Sequence, residues 1–148
     1  MVVARVIATW FGCGYSPIAP GTVGTLGALP FAYGLSTLGP VPYWAGTVAA
    51  TAGGVWASER MARDLGVKDP QSVVIDEVAG TLIAVGLALP LGPWAALAAV
   101  ALFRFFDIVK PGPIDTAQKL PGGLGIMADD VLAGIVAGLL ARIGGMIL

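Results

Sequence analysis

The sequence predicts an all-α fold, a polytopic bundle of about four to five transmembrane helices with an irregular Gly/Pro-rich N-terminal loop. Three observations predict it. Hydrophobic residues make up 57% of the chain and charged residues only 11%, where a soluble domain carries about a quarter charged residues. Val6 to Ser58 and Val78 to Phe103 hold no charge at all, and about 20 apolar residues of helix suffice for a hydrocarbon core of roughly 30 Å. Two acid pairs, Asp76-Glu77 and Asp129-Asp130, stand at the heads of apolar runs. Ionised carboxylates resist leaving water, so acids in such places need a reason. The 148 residues suit a single domain, 1–148.

The elements follow in order. Met1 to Phe11 reads as a short amphipathic segment at the membrane surface, with no pattern of a cleavable signal. Gly12 to Thr25 carries four glycines and two prolines, which forbids a regular helix there. Leu26 to Leu38 is apolar but short and contains Pro30, so it is either a kinked span from about Val23 or a re-entrant segment. Tyr43 to Ala62 is a span, with Tyr43 and Trp44 at one interface and Glu59, Arg60, Arg63 and Asp64 at the other. Leu65 to Ile75 is a polar connection. Glu77 to Leu89 is the next span, and Trp94 to Val109 follows it after Pro90-Leu91-Gly92-Pro93. Ile114 to Ala128 is a second polar loop, and Asp129 to Leu148 is the last helix.

The charges give an orientation. Arg60, Arg63 and Lys68 share one polar loop, Lys110 and Lys119 the other, and the opposite turns carry none. The positive-inside rule makes both polar loops cytoplasmic, which brings every acid to or beside that face. Arg142 lies near the far end and is expected to snorkel outward.

Composition also excludes. A net charge of −1 with no basic arm argues against nucleic acid. Histidine is absent, which removes the usual general base and the commonest zinc ligand. The single cysteine, Cys13, permits no intrachain disulfide, and with no histidine to activate it a packed thiol is the better reading.

Three constellations remain for chemistry. Asp76 and Asp130 each precede a glycine by four residues, Gly80 and Gly134, so acid and glycine share a helix face. A glycine there lets a second helix approach, which would bring the two acidic ends together. Arg104, Asp107 and Lys110, at spacings of three, form the third group. An intrahelical ion pair is the plain alternative for this group, and N-capping is the plain alternative for the acid pairs. Capping needs one acid per helix, and both helices carry two. Asp76, Glu77, Asp107, Asp129 and Asp130 together would repel unless a cation or protons neutralised them. An all-oxygen ligand set selects a hard ion such as Mg²⁺. The Gly12–Thr25 loop either cradles phosphate, with Thr22 and Thr25 as donors, or is the irregular entry to a half-span.

Four stretches in this order, Gly12 to Leu26, Val74 to Gly80, Phe103 to Ile114 and Gly122 to Gly134, resemble phosphatidylglycerophosphatase A, a family of bacterial membrane lipid phosphatases. Cys13 stands where the family often has serine. The resemblance implies Mg²⁺-dependent conversion of phosphatidylglycerophosphate to phosphatidylglycerol, by a multi-pass protein of the bacterial cytoplasmic membrane with its site on the cytoplasmic side. On that reading Asp76, Glu77, Asp129 and Asp130 are the catalytic candidates. Those four and Asp107 are the metal-ligand candidates, with Arg104, Lys110, Thr22 and Thr25 at the substrate phosphate. The metal would activate a water or polarise the phosphoryl group, and the choice between base, ligand and nucleophile stays open. Asp64 and Asp69 are expected on the solvated loop away from the paired acids. A small cation or proton transporter is the rival class and predicts acids spread through the membrane depth. A non-catalytic assembly factor would tolerate carboxylate-to-amide changes.

Overall fold

A computed structural model describes residues 1–148, and every regular element in it is helical. Seven α-helices run in order: α1 Val2–Ala8, α2 Pro20–Thr37, α3 Pro40–Leu65, α4 Ile75–Ala88, α5 Pro93–Val109, α6 Pro113–Ala117 and α7 Gly122–Ile147. Single 3-10 turns lie at Cys13–Tyr15 and Leu89–Leu91. Pro20, Pro40, Pro93 and Pro113 each open a helix, where a fixed φ and a missing N–H cost nothing. The five long helices alternate in direction, so the starts of α2, α4 and α7 and the ends of α3 and α5 gather at one end of the bundle.

α4 is the axis. Eleven of its 14 residues are buried, as befits a helix that is apolar on every side. It packs against α2, α3, α5 and most extensively α7. The α4–α7 contact is made by the two predicted glycines. A Cβ on Gly134 would stand 2.5 Å from the Gly80 carbonyl oxygen, and one on Gly80 would stand 2.8 Å from the Asp130 carbonyl oxygen. The two acid-bearing helices therefore do meet, backbone to backbone.

Some boundaries differ from the sequence reading. The irregular N-terminal loop ends at Ala19, because Pro20 starts α2 and Gly21 to Thr25 continue it. Pro30 lies inside that helix. α3 extends beyond Tyr43–Ala62 at both ends, which puts Asp64 in its last turn rather than on the loop, and the 114–128 loop contains α6. The largest change is in α7, which begins at Gly122 rather than Asp129. Its glycines are there for close approach: a Cβ on Gly123 would overlap the Val55 carbonyl oxygen. Arg142 is exposed and donates to the Leu87 carbonyl at 3.2 Å, capping α4.

Of the four to five crossings expected, one helix, Gly122–Ile147, is by itself long and apolar enough to cross a membrane. α2, α4 and α5 have 18, 14 and 17 residues, or about 27, 21 and 26 Å at about 1.5 Å per residue. α3 is long enough but ends in Glu59, Arg60, Arg63 and Asp64. The outward faces remain apolar, with Leu26, Tyr33, Val48, Trp94, Leu97, Phe105 and Ile143 all exposed.

Candidate active site

At the charged end, α4, α5 and α7 converge on three carboxylates. One oxygen each from Glu77, Asp107 and Asp130 lie within 4.8 Å of one another. Glu77 comes from the first turn of α4 and Asp107 from the last turns of α5. Asp130 lies two turns inside α7, because that helix starts at Gly122. It is 1% exposed, and its Oδ2 has no hydrogen-bond partner. A buried carboxylate oxygen without a partner is costly unless a ligand or a proton satisfies it.

The basic residues interlace with this cluster. Arg104 Nη1 donates to Glu77 Oε2 and to Asp107 Oδ2, both at 2.7 Å, while Nη2 reaches Thr22 Oγ1 at 3.3 Å. Lys110 Nζ donates to Asp107 Oδ1 at 3.1 Å and to Asp129 Oδ2 at 2.6 Å. Burial disfavours the Lys110 charge, but the hydrogen bond with Asp129 and the charge of Asp107 outweigh it, leaving its pKa above the ordinary lysine value. Its backbone is left-handed, with φ 48° at the end of α5. A non-glycine residue rarely adopts that conformation, and here it turns the ammonium back to two carboxylates.

Asp129 is also buried, with Oδ1 unpartnered, and is tied to the cluster through Lys110. Asp76 is half-buried and accepts the Glu77 backbone N–H at 2.9 Å. Thr25 is buried and donates to Glu77 Oε2 at 3.4 Å, and Thr22 sits at the exposed rim. Gly21 makes this closeness possible, since a Cβ there would stand 2.5 Å from Glu77 Oε1. The structure thus gathers all five acids, both cations and both threonines at one end. The acids are not spread through the depth of the bundle, as a transport path would require.

Two readings need correction. N-capping cannot explain Asp129-Asp130, because both lie well past the first turn of α7. Asp69 is exposed but not remote. Desolvation raises the pKa of its carboxyl, and the charges of Asp129 and Asp107 add to this, against Lys110 and Lys68. No local pattern marks Asp69, since the return of the α3–α4 connection brings it near. Cys13 is half-buried and free, close to Gly27.

The arrangement can hold a hard cation. The donors are all carboxylate oxygens, and the unpartnered Oδ2 of Asp130 is the sign that the protein alone does not satisfy them. The sequence profile described as phosphatidylglycerophosphatase A matches residues 6–144. The chain is 41% identical over 143 residues to phosphatidylglycerophosphatase A of Escherichia coli, covering 95% of this chain and 83% of that one. It is 43% identical over 136 residues to the Haemophilus influenzae protein of the same name, covering 90% and 83%. A Bacteroides thetaiotaomicron protein, named provisionally as a phosphatidylinositol-3-phosphatase, is 41% identical over 146 residues, covering 93% and 91%. No solved structure matches.

Proposed function

The chain belongs to the phosphatidylglycerophosphatase A family, and from that premise we propose that it hydrolyses the terminal phosphate of phosphatidylglycerophosphate with Mg²⁺, at the cytoplasmic face of a bacterial membrane. The observation that carries the metal part is the Glu77–Asp107–Asp130 cluster with its unpartnered Asp130 oxygen. Glu77, Asp107 and Asp130 would hold the ion, with Asp76 and Asp129 beside them. Mg²⁺ bound there supplies Lewis-acid polarisation of the phosphoryl group and neutralises developing charge.

The chain's own groups do the rest. Arg104 and Thr22, at the rim, receive the phosphate oxygens, and Thr25 holds Glu77 in place. Lys110 fixes Asp107 and Asp129 relative to each other. Asp129 Oδ1, buried and unpartnered, is the acceptor for a proton of the attacking water. Water adds to phosphorus as Asp129 takes its proton, the bond to the lipid oxygen breaks as that oxygen receives the proton back, and inorganic phosphate and phosphatidylglycerol leave. The Bacteroides relative's name points to another lipid phosphomonoester, so the shared chemistry is a phosphate on a lipid headgroup.

A multi-pass membrane setting is supported by α7 and by the apolar outer faces of α2, α3 and α5. The lysines and arginines of the two polar connections support a cytoplasmic site. The test is phosphate release from phosphatidylglycerophosphate by purified protein. Chelator abolishes it and added Mg²⁺ restores it. Full activity in excess chelator contradicts the metal mechanism.

A further inference from the structure

The cation site contains its own competitor. Arg104 Nη1 already bridges Glu77 Oε2 and Asp107 Oδ2 at 2.7 Å each, and those residues are two of the three that gather for a cation. A divalent ion on the same oxygens would crowd the guanidinium, and like charges at that range in a part-buried site repel strongly. In the same pose Arg104 Nη2 reaches Thr22 Oγ1 at 3.3 Å, at the exposed first turn of α2, so one edge of the guanidinium faces the carboxylates and the other faces the rim. Gly21 lets the Glu77 carboxylate and Arg104 sit against the start of α2: a Cβ there would stand 2.5 Å from Glu77 Oε1 and 3.5 Å from Arg104 Nη1. Asp130 Oδ2, buried and unpartnered, lies in the same cluster but outside the guanidinium's hydrogen bonds.

We propose that Arg104 is a toggle between cation and phosphate: its Nη1 closes the Glu77–Asp107 pair when no ion is present, and swings out to the substrate phosphate at the Thr22 rim when an ion takes those oxygens. This rests on the metal-phosphatase reading above and adds an order of binding to it. The ion enters first, because before that Nη1 is held by the two carboxylates and unavailable to phosphate. Phosphate then tightens the ion in return, since coupling between two ligands is reciprocal.

The test is calorimetric titration of Mg²⁺ into detergent-purified protein without substrate. Arg104→Met and Arg104→Gln should bind Mg²⁺ about tenfold more tightly than wild type, or better, within the usual range of coupling between sites. Lys68→Met removes an exposed cation outside the cluster and should change the affinity by less than about twofold. If Arg104 instead serves to hold the carboxylates in place, both Arg104 variants bind Mg²⁺ equally or more weakly. That result overturns the toggle and leaves the phosphatase reading standing. Absence of divalent-ion binding by wild type overturns both. In wild-type protein, nitrogen-15 spectra should show slowly exchanging Arg104 guanidinium protons that become fast-exchanging on adding Mg²⁺. An unchanged guanidinium signal at saturating Mg²⁺ overturns the toggle even if the variants fail to fold.

Discussion

Asp76-Glu77 occupies the first turn of α4, whereas Asp129-Asp130 lies two turns inside α7. The two pairs look alike as strings, each with a glycine four residues after one acid. Their surroundings differ. On α4 the positive end of the helix favours acids by roughly 0.3–1 kcal/mol each, and Glu77 has Arg104 and Thr25 as partners. On α7 the first turn is already past, and Asp130 is buried with an unpartnered oxygen. A local reason therefore exists for acids on α4. None exists on α7, where the acids are explained only by what they hold.

If the α4 acids served the helix end alone, Glu77→Gln would cost a little stability and no turnover. A fused site predicts instead that Glu77→Gln lowers phosphate release by about 100-fold or more, measured at matched amounts of folded protein. Gly134→Ala attacks the contact that joins the pairs. Its methyl would meet the Gly80 carbonyl oxygen, and overpacking of this kind costs about 1–3 kcal/mol. A lowered melting temperature should accompany a turnover loss of about tenfold or more. Asp76→Asn keeps an oxygen for the Glu77 N–H and removes a charge beside the cluster. Turnover should fall by about tenfold, the scale of a group that supports metal ligands. Asp64→Asn, at the exposed end of α3, should cost under about 0.5 kcal/mol and leave turnover within experimental error. Asp69 does not serve as such a control, because it lies within electrostatic reach of Asp129.

Much of this was legible in the sequence. Charge-free runs marked the helices, and the acid-to-glycine spacing of four marked the faces along which α4 and α7 meet. The prolines that open helices are visible in the sequence, but the glycines around them give the same stretches the look of loop. Gly122 to Gly125 read as loop for the same reason. Only the carbonyls they lie against, from Val55 and Leu120, show that the glycines serve packing. The partners of Glu77 are 27 and 52 residues away, at Arg104 and Thr25, and no local pattern encodes such a pairing. The nearness of Asp69 to Asp129 and Asp107 is non-local in the same way.

Asp130→Asn tests most directly whether the two acid pairs form one site. The change keeps the side chain's size and removes a buried charge that the protein leaves unsatisfied, so folding should be unchanged or slightly improved. Phosphate release from phosphatidylglycerophosphate, compared with Asp64→Asn at equal folded protein, should fall by about 100-fold or more. If Asp130→Asn turns over as fast as Asp64→Asn, the carboxylates of α4, α5 and α7 do not form the active site.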